Sequence, residues 1–425
     1  MKKQKIRFLL GDLLVFLFVL YCFYSYGLQP FFTWKTFCGG IFGHMGSIPF
    51  RSIIGLMIAL TGLVYLCPMK VERQMLILSL WVFAEAVFII FAGGFHHIFS
   101  FEWLLYSSVI CFLLVSKELK IKTYRLFYNL FVISLIIPII IYVLLQFGIP
   151  VPYMELQSPE SIKEYYGIYY KIYPFASQWD HMNSSSYYGL RMCGIYNEPG
   201  VIGTFSALLL GIEKYKMKGD WKNKILFLAG ILSFSLAFYA LTVIFFLCQF
   251  ISLKKKNIII VFILLFVYFA AITIPFSNPN IVKIQHRLMI TENGLNGDNR
   301  TNSQYDAVFN EFFESDFLTL VFGKGESAIE DILEERNIDG CSYKNLIYDY
   351  GYLGFVSQIL WICVFGKFVG RKKGREPCIY LVTCSLMFFA NLYQRPSMFA
   401  LQYIMIFVGG IYKQIESEVK CDSTV

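Results

Sequence analysis

Residues 225–252 read ILFLAGILSFSLAFYALTVIFFLCQFIS and contain no charged side chain. A helix that crosses a bilayer takes about 20 apolar residues, so this stretch is long for one upright crossing and short for two. One crossing and two crossings leave the rest of the chain on opposite sides of a membrane. The number of crossings here therefore decides the topology of the last third of the protein.

The whole chain shares this apolar character. Of its 425 residues 57% are hydrophobic, 18% aromatic and only 16% charged, whereas soluble domains carry about 25% charged residues. The composition predicts an all-α polytopic integral membrane helix bundle, with 1–425 as a single membrane domain. It excludes a soluble enzyme, a secreted domain and a nucleic-acid-binding protein. Besides 225–252, long apolar stretches lie at about 8–27, 50–68, 74–93, 99–116, 127–148, 197–212, 257–275, 347–369, 377–392 and 397–412.

The basic residues favour two crossings in 225–252. If the chain turns back near residues 233–235, most of the 37 Lys and Arg residues fall in short loops on one side. Short cytoplasmic loops carry an excess of such residues, so this reading places both termini in the cytoplasm and predicts about 12 transmembrane helices. A single crossing would instead put the cluster 371–375 outside. If 225–252 crosses twice, the only basic residues in the short external loops are Lys35, Arg51 and Arg395.

Two long segments are external in this topology, at 149–196 and at 276–346. Within the second, five apolar residues follow helical spacing with polar residues opposite them. The pattern predicts an amphipathic helix on the outer membrane surface, with Thr301 or Asn302 as its N-cap. The five apolar residues are Tyr305, Val308, Phe309, Phe312 and Phe313.

The strongest local signal is GLRMCGIYNEPGVIGTFSALLLG at 189–211. Pro199 suits the first position of a helix, which makes Glu198 the predicted N-cap residue. Arg191 lies at the same level, and a helix N-terminus favours bound anions. Either these groups bind an anionic, membrane-tethered sugar substrate, or Glu198 only caps the helix and pairs with Arg191.

Basic residues in the second external loop need a reason other than topology. Arg300 precedes the predicted amphipathic helix and suits a diphosphate, because guanidinium groups bind phosphates through paired hydrogen bonds. For any arginine of this loop the alternative is a salt bridge to one of its acidic residues. Arg300 is better placed for a diphosphate than Arg336, which lies among acidic residues in DILEERNIDG. Four further residues are candidates for substrate binding: His286, Arg287, Lys324 and Lys344.

Neither a cofactor nor a metal site is expected. The 11 cysteines never follow a CxxC spacing, and no loop carries an Asp-x-Asp pair. Three acidic residues within or at the edge of apolar stretches have two interpretations, since charge in a bilayer is costly. They line a polar groove for a glycan, or they pair with polar neighbours. These residues are Asp12, Glu85 and Glu102.

The pattern Arg191-x-x-Gly194-x-x-x-Glu198-Pro-Gly at the end of the first long loop resembles Wzy-type O-antigen and capsular polysaccharide polymerases. It is more distantly similar to the O-antigen ligases. Further segments fit the same family in order, and the likeness covers most of the chain from about 120 onward. These segments are Phe322-Gly323-Lys324-Gly325, Tyr343-Lys344-Asn345-Leu346, Asp349-Tyr350-Gly351-Tyr352-Leu353-Gly354 and Asn391-Leu392-Tyr393-Gln394-Arg395-Pro396.

The resemblance implies a glycosyltransferase at the outer face of the bacterial cytoplasmic membrane. Such enzymes transfer a growing glycan from undecaprenyl diphosphate onto the next lipid-linked repeat unit, without metal and with inversion. Arg191 and Arg300 would then bind the diphosphate, and Glu198 would be the base or would orient Arg191. The implied partners are the lipid-linked oligosaccharide, membrane lipid, a chain-length regulator and a flippase.

Two other functions remain open from the sequence. An O-antigen ligase usually has a histidine where this chain has Lys344, and lysine is a poor base unless its pKa is depressed. A flippase for lipid-linked oligosaccharides would place its charges inside the bundle and would have short loops. The two long external loops with their arginines therefore favour an enzyme, and Lys344 favours the polymerase.

Overall fold

The computed structural model describes most of the helical bundle and the greater part of both long loops. The described residues are 2–26, 48–67, 71–92, 102–157, 168–181, 191–251, 302–325, 327–338, 340–370 and 375–422, with short pieces between 262 and 295.

The described chain is mainly α-helical, as predicted. The first eight helices are α1 Lys2–Tyr26, α2 Ile48–Leu66, α3 Arg73–Ala92, α4 Glu102–Leu114, α5 Lys117–Gln146, α6 Pro199–Ile212, α7 Trp221–Leu232 and α8 Leu236–Ile251. The others are α9 Ser303–Asn310, α10 Phe317–Phe322, α11 Ala328–Glu335, α12 Tyr343–Gly370, α13 Arg375–Gln394, α14 Leu401–Ile404 and α15 Gly410–Asp422, with a π-turn Met405–Gly409 between the last two.

Three described helical segments are long and apolar enough to cross a bilayer: Arg7–Ser25 of α1, α5 and α12. Large apolar side chains also remain exposed along these and neighbouring helices, for example Leu63 and Ile133. A soluble protein rarely exposes so many contiguous apolar side chains, because water contact with them is unfavourable. The mainly helical membrane class is therefore supported at the level of helix length and surface.

The structure contains a small β-sheet in the first long loop, which the all-α prediction did not include. Strands β1 Met154–Gln157, β2 Ile168–Tyr173 and β3 Ala176–His181 form an antiparallel sheet in that order. The sheet is fixed to the chain just before α6, because the Ser177 amide donates to the Gly194 carbonyl oxygen at 2.6 Å. Strand β2 has the sequence IYYKIY, and such aromatic and β-branched residues favour strands. A further pair, β4 Ile290–Thr291 and β5 Gly294–Leu295, lies in the second loop.

Two contacts fix the direction of α6 against α13. Near the end of α6 the Ile212 carbonyl accepts a hydrogen bond from the Tyr380 hydroxyl at 2.9 Å, and near its start Thr204 donates to Gln394 at 3.3 Å. The two helices are therefore antiparallel. We call the end of the bundle with Gln394 the upper end and the end with Ile212 the lower end.

The predicted reversal near 233–235 is confirmed. Helix α7 ends with Ser233 as its C-cap, Phe234 adopts a positive φ of 45°, and α8 begins at Leu236. The Leu232 carbonyl accepts from the Met192 amide at the upper end, whereas Asn223 at the start of α7 donates to the Lys216 carbonyl at the lower end. The chain therefore rises through α7 and returns through α8.

A polar cluster closes the lower end of the bundle. The carboxylate of Glu213, directly after α6, accepts hydrogen bonds from the hydroxyl of Tyr124, the ammonium of Lys413 and the amide of Gln414. These three donors come from α5 and α15. The cluster joins three helices, and every oxygen of the buried carboxylate has a donor, as a buried charge requires.

The second long loop folds into a lobe, residues 302–350, with its own hydrophobic core. The core joins the predicted amphipathic segment to α11 and to the start of α12. Asn302, one of the two predicted caps, accepts from the Tyr305 amide at 2.7 Å. Of the five predicted apolar residues only Phe313 is exposed. The apolar face is therefore covered mainly by protein, through contacts with Ile329, Leu333, Ile338, Ile347 and Tyr348.

The segments 322–325 and 349–354 contact each other where the lobe meets α12. The amides of Lys324 and Gly325 donate to the carbonyl oxygens of Tyr348 and Asp349 at 2.9 and 3.0 Å. Gly323 and Gly351 both adopt positive φ, 83° and 66°. Their backbones are so close that a Cβ atom on either glycine would overlap backbone atoms of the opposite segment. Glycine is needed at Gly351 for both reasons, conformation and space.

Candidate functional site

A buried carboxylate marks the upper end of α6. Glu198 is the N-cap residue and Pro199 the first helical residue, as predicted, but the Glu198 side chain makes no capping hydrogen bond. It pairs instead with Arg395. Only 16% of the Glu198 side chain and 10% of the Arg395 side chain are exposed, so the ion pair is largely withdrawn from water. The helix N-terminus adds positive potential beside the carboxylate.

Arg395 reaches Glu198 from the connection between α13 and α14. The connection packs against the first turn of α6, where Gly200 leaves room for the amide of Gln394 and the guanidinium of Arg395. A side chain at Gly200 would meet the Gln394 amide nitrogen at 2.9 Å and the Arg395 Nη2 at 3.5 Å. The Glu-Pro-Gly motif therefore supplies a carboxylate, a helix start and a gap for the arginine.

Arg191 lies on the hairpin side of the same helix. Its Nε donates to the Ser233 carbonyl oxygen at 3.2 Å, at the turn between α7 and α8. The same turn packs against Gly203 in α6, where no larger residue fits because Ser235 occupies the space. The hairpin thus holds Arg191 beside the first two turns of the helix that Glu198 caps.

The sheet and a buried tyrosine cover the chain between the two site residues. Tyr196 is fully buried and its hydroxyl is 2.7 Å from that of Ser134 on α5. Tyr170 of β2 donates to the Asn197 carbonyl at 2.9 Å. Burial raises the pKa of Tyr196, so its phenol remains neutral. These contacts fix the position of the backbone from 191 to 198, which leads into α6.

One buried polar group near Arg395 has no partner. The Asn391 carbonyl accepts from the Arg395 amide at 2.9 Å, which places Asn391 one turn below the arginine. Both polar atoms of the Asn391 side chain are buried without a hydrogen-bond partner among the described residues. Since buried polar atoms are nearly always hydrogen-bonded, this amide is available to a water or a substrate group.

The remaining site predictions have different outcomes. Lys344 donates to Asp306 at 2.6 Å and Lys324 donates to the Tyr348 hydroxyl at 3.1 Å, so both lie in the lobe. His286 is exposed. Two predicted site residues, Arg287 and Arg300, lie outside the described residues.

The salt-bridge interpretation of Arg336 is confirmed. Its guanidinium donates to both carboxylate oxygens of Glu311, at 2.8 and 3.3 Å. This hydrogen bond holds the pKa of Glu311 below its usual value. Within the described part of the chain, no group of three or more His, Cys, Asp or Glu residues is arranged to hold a metal ion.

The prediction of site residues missed Arg395. The predicted topology puts Arg395 in a short external loop, together with Lys35 and Arg51 in other such loops. The positive-inside rule could have identified Arg395 as a candidate, because an arginine on the predicted external side has a role other than topology. Arg51, a second member of that set, lines a cavity at the same end of the bundle.

The fold and the geometry of these residues define a mainly helical protein with apolar helices of membrane-spanning length and a buried Glu–Arg pair at one end. Comparison of the chain with protein-family models, with curated proteins and with solved structures finds no match.

Proposed function

We propose that this protein is a membrane glycosyltransferase that polymerises undecaprenyl-diphosphate-linked oligosaccharides into O-antigen, capsular or extracellular polysaccharide. The observation that carries the proposal is the buried Glu198–Arg395 pair at the start of α6, with Arg191 beside the same helix. A carboxylate and two guanidinium groups at one helix N-terminus suit a substrate that combines a diphosphate with a sugar hydroxyl.

In the proposed reaction an acceptor hydroxyl oxygen attacks the anomeric carbon of the donor glycan. The bond between that carbon and the diphosphate oxygen breaks, the bonding pair leaves with the diphosphate, and the configuration inverts. Glu198 takes the hydroxyl proton as the base. Arg191 and Arg300 stabilise the charge that develops on the leaving diphosphate, and Arg395 orients the Glu198 carboxylate.

We also infer that the bundle crosses the bacterial cytoplasmic membrane about 12 times, with both termini in the cytoplasm and the upper end outside. The antiparallel packing of α6 with α13 and the reversal between α7 and α8 support this topology. Helix α7 has 12 residues and α8 has 16, which gives lengths of about 18 and 24 Å. Since the hydrocarbon core is about 30 Å thick, the hairpin turn and Arg191 then lie in a depression of the outer face.

A complementation experiment tests the function. In cells that lack the gene, we expect Arg191→Ala, Glu198→Ala and Arg300→Ala proteins to leave single repeat units on the surface glycolipid instead of long chains. Loss of one such electrostatic contact should lower polymer formation about 100-fold or more. Gel profiles of surface polysaccharide give the measurement, with protein abundance in the membrane quantified for each variant.

The controls separate this function from its alternatives. An Arg336→Ala protein should give normal chains, because Arg336 forms an exposed pair with Glu311. A flippase defect would strand the lipid-linked unit in the inner leaflet, and a ligase defect would leave long chains on undecaprenyl diphosphate. Wild-type chain lengths in all three site variants would overturn the site assignment.

Reporter fusions test the topology. A reporter that is active only outside the cytoplasm, fused after Asp316 in the lobe, should be active. The same reporter fused after Lys373 should be inactive, because that basic loop is cytoplasmic when α7 and α8 are separate crossings. The reverse pattern at the two sites would contradict the hairpin topology.

A further inference from the structure

The cavity that Arg51 lines opens at the upper end of the bundle, next to the Glu198–Arg395 pair. Its volume is about 160 Å³. Side chains from α1, α2, α4 and α12 form its walls together with the chain from Pro396 to Gln402. Arg51 of α2 contributes the one guanidinium group among the described lining residues.

Two glutamines in the wall are buried and incompletely hydrogen-bonded. Gln358 is 3% exposed and Gln402 is 2% exposed. The side-chain oxygen of each has no hydrogen-bond partner among the described residues. Folding has removed both acceptors from water without replacing the lost hydrogen bonds, which proteins normally avoid. Because both residues line the cavity, a rotation of each amide brings its acceptor to a donor that enters the cavity.

Glu85 of α3 is a polar neighbour of Gln358 and is not among the residues that line the cavity. Helices α3 and α12 are held together by hydrogen bonds from Trp81 to Ser357 at 2.8 Å and from Trp361 to the Leu78 carbonyl at 3.2 Å. Glu85, one turn above Trp81, lies next to Gln358. It is 5% exposed, and neither carboxylate oxygen has a fully formed hydrogen bond within the described chain. Of the two interpretations of Glu85 from the sequence, the contact with Gln358 fits pairing with a polar neighbour.

The chemistry of the lining selects a hydroxyl-rich ring. Amide oxygens accept hydrogen bonds from hydroxyl groups, and they repel an anion such as phosphate. Tyr21, Tyr106 and Tyr350 present aromatic surface beside them, which suits the C–H faces of a sugar. Arg51 donates to a ring substituent oxygen or to a carboxylate. The volume is below the range of about 300–1,000 Å³ of drug-sized pockets, so one ring fits and a longer glycan does not.

The chain connects this cavity directly to the Glu198 site. Arg395 pairs with Glu198, and the next residue, Pro396, already lines the cavity. We propose that the cavity binds one sugar ring of the lipid-linked glycan, adjacent to the ring that reacts. This inference rests on the proposed function, and it adds Gln358, Gln402 and Arg51 as binding residues that set which sugars are accepted.

The unsatisfied amides allow a test that separates binding from stability. Gln358→Met and Gln402→Met keep the side-chain length and remove the buried polar atoms. We expect proteins whose thermal midpoint equals or exceeds that of the wild type but whose polymer yield falls at least tenfold. Gln414→Met is the matched control, because its amide donates to Glu213 at 3.0 Å within the protein. That variant should lose thermal stability. If the two cavity variants lose stability as Gln414→Met does, or retain full polymer yield, the proposal is wrong.

Ligand-dependent stabilisation of the purified protein tests the cavity independently of polymerisation. The probes are methyl glycosides of a neutral hexose, an N-acetylhexosamine and a hexuronate, with inorganic diphosphate as the counter-probe. At least one glycoside should raise the thermal midpoint of the wild type and not that of Gln358→Met. No shift with any glycoside would overturn the cavity assignment, as would an equal shift in Gln358→Met. A shift that depends on Gln358, in a protein whose deletion leaves surface polysaccharide unchanged, would support the sugar site and refute the polymerase.

Discussion

An Arg395→Met protein is expected to lose both chain elongation and about 3–5 kcal/mol of stability, because Glu198 would remain as a buried charge without its partner. The ion pair is shielded from water, with 10% and 16% of its two side chains exposed. A Glu198→Met protein should show a comparable loss for the reciprocal reason. The stability measurement is the thermal or denaturant unfolding of the purified protein in lipid nanodiscs.

The double variant Glu198→Met/Arg395→Met distinguishes a structural pair from a functional one. Replacing both partners of a buried ion pair by apolar residues is often neutral for stability. We therefore expect the double variant to regain most of the stability lost in the single variants and to remain unable to make long chains. Normal chains in the double variant would show that the pair serves only the fold. Arg336→Met, which breaks the exposed pair with Glu311, is the matched control and should change neither property.

The second large effect is expected at Gly351, a non-helical residue at the kink in α12 where the lobe ends. Gly351→Ala adds a side chain at a φ of 66° and forces it into the backbone of Val321 and Gly323. With φ 66° and ψ −179°, Gly351 adopts a backbone conformation that is essentially restricted to glycine and costs another residue about 1–3 kcal/mol. The backbone overlap cannot be relieved by a side-chain rotation. We expect the lobe to separate from α12, with loss of polymer and of folded protein.

Gly366→Ala is the control for this prediction. Gly366 lies in the same helix, and no atom of the described residues is within 4 Å of where its side chain would be. Alanine there should be neutral or stabilising by up to about 1 kcal/mol, because alanine favours helix more than glycine does. Limited proteolysis of the lobe and thermal unfolding measure both variants. Equal protease resistance and equal stability in Gly351→Ala and Gly366→Ala would contradict the interlocked junction.

Local chemistry explains which sequence predictions were confirmed. Glu198 and Pro199 start a helix because proline suits the first turn and cannot continue a preceding one. Asn302 caps α9 because its side chain replaces a missing backbone acceptor. The turn at Ser233–Ser235 followed from the length of the apolar stretch and from the charges around it. Each of these features depends on residues close together in the chain.

The features that were missed depend on distant residues. The sheet β1–β3 is held together by pairing between separate segments of the first long loop, so no single segment predicts it. The partner of Glu198 lies almost two hundred positions away at Arg395, and only the packing of α13 on α6 brings the two together. The cavity beside them is formed by four helices and one connection, so no single segment contains its pattern.

The sequence by itself therefore determined the class, the helix boundaries near strong signals and the reversal within 225–252, because lipid solubility, capping and charge bias act through composition and short spacing. Only the tertiary structure decided that Glu198 meets Arg395, that the lobe covers its own apolar face, and that Gln358 and Gln402 share a cavity with Arg51. Those outcomes follow from the balance between burial and hydrogen bonding across the whole bundle, which is set when the helices pack.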